Sequence, residues 1–147
     1  MQVNKLEIFY EDIHPLLLQK TFIKKHIKRL INSELKEYGE ISLIFCSDKY
    51  LLEMNRRYLN HDYFTDIITF DYVENNIISG DLFISVDRVK ENANAFGVKF
   101  SEELFRVIIH GVLHLIGYND KTGEEKKIMK EKEDLYLSEV ELRGINL

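Results

Sequence analysis

Residues 104–116, LFRVIIHGVLHLI, leave almost no solvent stripe on a helical wheel: Leu104, Phe105, Val107, Ile108, Ile109, Val112, Leu113, Leu115 and Ile116 point in nearly every direction. A helix apolar all round must be enclosed, so the rest of the chain has to supply a sheet and further helices to cover it. Ser101 with Glu102 and Glu103 offers an N-cap and a negatively charged first turn, and Gly117 ends the segment as a left-handed C-terminal cap would. Two imidazoles, His110 and His114, interrupt the apolar surface.

The flanking segments read as the required cover. Leu6, Ile8 and Tyr10 alternate with more polar neighbours and predict a first strand, closed by Glu11-Asp12. Pro15 is placed to open a helix, which Ile23, Ile27, Leu30 and Ile31 continue at helical spacing to about Gly39. The run ISLIFC (41–46) predicts a buried strand, and Ser47-Asp48 caps a helix through Tyr58. Segments 66–72 and 80–86 predict an antiparallel hairpin around Glu74-Asn75-Asn76. A helix from Asp87 to about Gly97 and a charged amphipathic helix over about 121–142 complete the set. The expected fold is one α+β domain spanning 1–147, a four-stranded sheet with about five helices, the central buried helix carrying the histidines.

Composition narrows the class. A chain of 147 residues can bury roughly two-thirds of its unfolded surface, and 45% hydrophobic with 31% charged residues is a globular balance. Cys46 has no partner for a disulfide, which fits a reducing compartment. The N-terminal residues lack the basic start and apolar core of a secretion signal, and no window reaches the roughly 20 apolar residues of a membrane span. A cytoplasmic protein with no membrane partner is expected. A formal charge of −5 argues against coating nucleic acid indiscriminately, although a local basic face could still bind RNA.

The histidine pair carries the chemistry. One helical turn apart, the two rings project from the same face and their nitrogens can converge on one ion, as in HExxH zinc sites. The plain alternative is a pair of hydrogen-bonded rim histidines. Burying two imidazoles without partners is costly, and Gly117 breaks the helix at once, turning the chain back so that Asp120 follows. The resulting H-x3-H-x5-D repeats the geometry of HExxHxxGxxH proteins, with Asp120 as third ligand and Asn119 as its weaker rival. Three protein ligands leave a fourth position for water. Gly111 stands where the proteases keep their general-base glutamate, so peptide hydrolysis by that route is not expected.

The motifs MNRRYLNHD (54–62), TDIITF (65–70), GDLFIS (80–85), HGVLHLIGYND (110–120) and EEKKIMKEKED resemble, in this order and spacing, the bacterial YbeY family of rRNA maturation factors. The resemblance covers roughly residues 50–135. It implies a metal-dependent hydrolase: a zinc-dependent, single-strand-specific endoribonuclease acting in 16S rRNA 3′-end processing and late 30S quality control. One zinc per chain would sit on His110, His114 and Asp120, with rRNA precursor as substrate and the 30S subunit or a ribosomal protein as partner. His114 and Arg57 are the candidate catalytic residues. Three positions depart from the family pattern: its third histidine is Asp120, the arginine after its tyrosine is Leu59, and the proline before Thr-Asp is Phe64.

Such an ion would acidify its bound water, less strongly with an anionic third ligand than with three imidazoles. Thr65, Asp66 and Asp81 either line the cleft and orient the ligands or serve turn chemistry at strand ends. Lys20 to Arg29 could track an RNA backbone or form a solvated helix face. Two further readings stay open beside the nuclease: a non-catalytic ribosome-assembly factor with a structural metal, and a zinc hydrolase of another substrate class.

Overall fold

The computed structural model describes residues 4–142. Within them the order is β1 (Lys5–Glu11), α1 (Lys20–Ser33), β2 (Glu37–Cys46), α2 (Asp48–Leu59), β3 (Ile67–Asp71), β4 (Ile77–Ser85), α3 (Val86–Phe96), α4 (Phe100–Ile116) and α5 (Gly123–Leu142). The four strands form one sheet in the order β1-β2-β4-β3, with β1, β2 and β4 parallel and β3 antiparallel to β4. This is the α+β arrangement expected from the sequence, including the hairpin.

Alternation along the strands divides the apolar residues between two faces. Leu6, Ile41, Leu43, Phe45, Leu82 and Ile84 join the main core with residues of α1, α3, α4 and α5. Cys46 and Ile68 point the other way and meet Leu51 of α2 in a small second cluster. The all-round apolar character of α4 has its explanation in these contacts: the helix packs on β3 and β4 and is flanked by α1, α3 and α5. No helix among the described residues is long and apolar enough to cross a membrane.

Gly111 is where α4 presses closest to the sheet. A Cβ there would lie 2.6 Å from Ile67 Cδ1 and 3.1 and 3.3 Å from the two methyls of Leu82. The position that a protease would give to a catalytic glutamate is thus a tight helix–sheet contact, where a side chain could enter only by displacing the ends of Ile67 and Leu82.

Boundaries differ from expectation at five places. Helix α1 begins at Lys20, not near Pro15, because Ile13, Leu16 and Leu18 pack against the core ahead of it. It stops at Ser33, where Leu35 takes a positive φ of 60° and Lys36 N–H reaches back to the Ile31 carbonyl at 3.1 Å; Gly39 lies inside β2. The N-cap of α4 is Lys99 without a side-chain bond, so Ser101 sits within the first turn. At α2, by contrast, Ser47 Oγ accepts from Tyr50 N–H at 3.0 Å as anticipated. The other two differences are in β2, which starts at Glu37, four residues before Ile41, and in β4, which starts at Ile77, three residues before Gly80.

Replacing Gly111 by alanine should lower stability by about 1–2 kcal/mol in a denaturant titration, the overpacking exceeding the roughly 1 kcal/mol gained in helix propensity. Leucine should cost more. An alanine variant with a raised melting temperature would show that the contact is not tight.

Candidate metal centre

Helix α4 carries both imidazoles to its C-terminal end, and the turn after it returns a carboxylate to them. Gly117 has φ +122°, a conformation that side chains disfavour, and Tyr118 N–H bonds back to the Leu113 carbonyl at 3.0 Å. Asp120 is thereby brought over the histidines. His110 Nε2 and His114 Nε2 are 3.0 Å apart, and Asp120 Oδ2 lies 3.3 Å from the first and 3.4 Å from the second. Bonds of about 2.0–2.2 Å in a tetrahedral site give donor separations of about 3.3–3.6 Å, so this set of two imidazoles and a carboxylate fits a small divalent ion. The three residues form a group able to hold a metal, each half-buried.

Glu133 of α5 fixes how His110 faces this point. Its Oε2 is 2.6 Å from His110 Nδ1. A carboxylate can only accept, so Nδ1 carries the hydrogen and Nε2 turns its lone pair to the other two donors. Arg106 holds Glu133 in turn, with Nη1 donating to Oε1 at 3.2 Å while Nη2 donates to Asp134 at 2.9 Å. Burial alone would lower the His110 pKa. The Glu133 hydrogen bond and charge outweigh it, with help from Asp120 and Asp66, and raise it above the usual histidine value. Asp66 is raised by burial, offset in part by His110. Glu103, in the first turn of α4 and 5% exposed, is pushed up to about 7 by burial and then by Asp66, against the opposing charge of Arg106.

The cleft beside the three donors is walled by the 59–66 segment, β3 and the 119–120 turn. Thr65 and Asp66 line it, with Leu59, His61, Tyr63, Thr69 and Asp71. Thr65 Oγ1 also donates to the Ile67 carbonyl at 3.4 Å, a turn role. Asp81 and Arg57 lie elsewhere. Both line a separate groove formed by Tyr50, Tyr58, Phe70, Tyr72 and Phe83, on the α2 side of the sheet. Asp81 alternates with Leu82, which faces α4, and Arg57 is two residues from Asn55, which faces the cleft; strand and helix periodicity send both away from the histidines. Arg56 is held by Asp62 at 2.5 Å and Glu53 at 3.1 Å. Among the described residues lining the cleft there is no lysine or arginine.

Sequence reasoning passed over Glu133, Arg106 and Asn55. Buried Asn55 donates to the Tyr63 carbonyl at 2.8 Å and anchors the cleft wall to α2. Its signal was an amide amid the charged face of a helix. Glu133 gave none, because it sits in a run of alternating lysines and acids.

Purified protein should hold near-stoichiometric zinc by elemental mass spectrometry, and Asp120→Ala should lose it. Zinc retained in that variant would move the third donor elsewhere. Glu133→Ala should weaken metal binding about 10–100-fold in a chelator competition, with Glu133→Gln less affected because its amide oxygen can still accept. For Glu103 the folded carboxyl keeps its proton to about pH 7 and the unfolded chain releases it near 4.5, so stability falls as pH rises through that window. Glu103→Gln should therefore stabilise the protein by about 1–3 kcal/mol at pH 8 and by little at pH 4. Equal gains at both pH values would contradict the burial account.

Comparison with known proteins gives the family. A family model described as Endoribonuclease YbeY matches residues 11–141. A Parabacteroides distasonis protein named Endoribonuclease YbeY is 52% identical over 130 residues, 88% of this chain and 92% of its own. Its Cytophaga hutchinsonii namesake is 48% identical over 139 residues, 94% of this chain and 97% of its own. The solution structure of TM1509 from Thermotoga maritima matches with a TM-score of 0.68 and 29% identity, covering 95% of this chain and 93% of that one. The chain belongs to the YbeY family of endoribonucleases.

Proposed function

We propose that this chain is a zinc-dependent endoribonuclease that cuts single-stranded RNA, acting in the cytoplasm on the 3′ end of precursor 16S rRNA and in late quality control of the 30S subunit. The observation that carries the reading is the convergence of His110, His114 and Asp120 on one point at the floor of an open cleft, in a chain of this family. Two imidazoles with a carboxylate suit zinc better than magnesium or calcium, which prefer oxygen donors alone.

When bound, the ion supplies Lewis acidity and lowers the pKa of a coordinated water. The chain's own residues do the rest. His110, His114 and Asp120 would hold the ion at the floor of the cleft. Glu133 and Arg106 keep His110 in the tautomer that can bind. His61, whose ring stacks on Tyr63 and whose Nδ1 is 3.0 Å from the Tyr63 hydroxyl, lines the cleft outside the donor set and offers a ring nitrogen toward a phosphate there. Docking on the small subunit through a ribosomal protein would bring the substrate to it.

One observation favours a second reading. The cleft lining carries no lysine or arginine, and those beside the donors, Arg106, Lys126 and Lys130, line the adjoining hollow instead, so the cleft itself offers little to the charge that builds on a phosphate in the transition state, which suits an assembly factor whose metal orients structure. Single-turnover cleavage of a 16S precursor should fall at least 1,000-fold in His114→Ala, about 4 kcal/mol of barrier. If that variant supports 16S maturation in cells while cleaving nothing, the enzymatic reading is wrong and the assembly factor stands.

A further inference from the structure

The positive charge missing from the cleft is concentrated on one helix. Residues 20–33 of α1 carry Lys20, Lys24, Lys25, Lys28 and Arg29 and no acid at all. With those five removed from the 20 lysines and arginines, the rest of the chain sets 15 cations against 25 acids. Among the described residues none of the five enters an ion pair; of the cations lining the hollow beside His110 and Asp120, Arg106 is paired with Glu133 and Asp134, while Lys126 and Lys130 stand singly on the acid-rich α5. Lys20 and Lys28 lie over the rings of Tyr10 and Tyr38, at 5.3 and 5.0 Å, which holds their ammonium groups at the surface without neutralising them.

This arrangement works against the helix that bears it. Lys20–Lys24, Lys24–Lys28 and Lys25–Arg29 are like-charge pairs one turn apart, which repel. The N-terminal end, where a helix favours anions, has no acid in its first turn and no side-chain cap. A face that served only solubility would gain from interspersed glutamates, as α5 has.

We propose that the outer face of α1 is a docking surface for the phosphate backbone of single-stranded RNA, and that it supplies the affinity which the cleft does not. This deepens the reading of the chain as an RNA-processing protein and rests on it. The cleft walls carry Asp66 and Asp71 beside Asp120, so a polyanion entering there meets carboxylates and must be anchored from outside. The anchor is near. Glu34, which caps the C-terminal end of α1, accepts from the Tyr118 hydroxyl at 2.5 Å, and Tyr118 is two residues from Asp120. Fourteen residues make a helix about 21 Å long with its cations about 6 Å apart along each row, a spacing that suits successive phosphates of an extended strand. The contacts are to phosphate and so carry no sequence preference.

The test compares native protein with Lys24→Gln/Lys25→Gln/Lys28→Gln/Arg29→Gln. The binding probe is a fluorescein-labelled, single-stranded deoxyoligonucleotide of about 20 nucleotides, which offers the phosphates but no 2′-hydroxyl, followed by anisotropy over a salt series. The variant should bind at least tenfold more weakly at low salt. Its slope of log affinity against log salt should be shallower by about 3, four contacts at about 0.7 each. Its kcat on a short oligoribonucleotide that reaches only the cleft should be unchanged, and its melting temperature equal or higher, since repulsion has been removed. Equal affinity and slope in the two proteins would overturn the proposal. So would loss in the variant of binding to phosphatidylserine vesicles with oligonucleotide binding intact, which would assign the face to a membrane. A native protein that cleaves no RNA yet shows the expected loss of slope would leave the docking surface standing and sink the nuclease reading, so the two failures are separable.

Discussion

The approach of α4 to the sheet at Gly111 governs the geometry of everything beside it. A helix so apolar could rotate about its axis with little change in burial, and the glycine favours one angle by admitting Ile67 and Leu82 at a point where a larger residue would have to displace them. With Gly111 turned to the sheet, His110 and His114 lie on the adjoining face, at the rim next to β3. They reach solvent through the cleft while the rest of α4 stays dry. Packing thus orients the donors, and the glycine that rules out one chemistry at that position makes room for another.

Around this frame the charges are arranged in layers. Nearest the centre are the donors themselves. Glu133 holds His110, Arg106 holds Glu133, and Asp134 takes the remaining arm of the guanidinium. Each bond uses a lone pair or hydrogen that burial would otherwise strand, which is what keeps a polar group affordable at the edge of an apolar core. Glu34 does similar work on the other side, gathering Tyr118, Tyr136 and Lys132 where α1, α5 and the loop after α4 meet. The loop that carries Asp120 is therefore tied where it leaves α4, by the Gly117 turn and the Tyr118 hydroxyl, and where it enters α5, by the Lys121 and Thr122 amides donating to Glu125.

How much of this was legible depended on sequence distance. His110, His114, Gly117 and Asp120 lie within eleven residues, so helix period and one turn were enough to bring them together. Glu133 is 23 residues from His110 and Arg106 is 27 from Glu133, distances across which only packing decides contact. Arg57 and Asp81 were drawn toward the site by the motifs around them, but the alternation of β4 and the turn of α2 put them in the groove behind the sheet. The ends of α1 were misplaced for a local reason. Pro15 is compatible with a helix start, yet Leu16 and Leu18 are needed in the core before the helix begins, and the stop is made by Leu35 in a left-handed conformation that its side chain does not advertise.

The cleft also owes its openness to β3 being the outermost strand of the sheet. An edge strand presents unpaired amides and carbonyls that a second copy of the chain could extend, and self-association of that kind is a standing hazard for β-proteins. Here the strand is only five residues long and is bracketed by Asp66 and Asp71. Two copies laid edge to edge in antiparallel register would set Asp66 of one against Asp71 of the other at both ends of the new ladder, and like charges directly opposite disfavour pairing. The acids that make the cleft inhospitable to a bare polyanion thereby also work against edge-to-edge pairing of two copies at this strand.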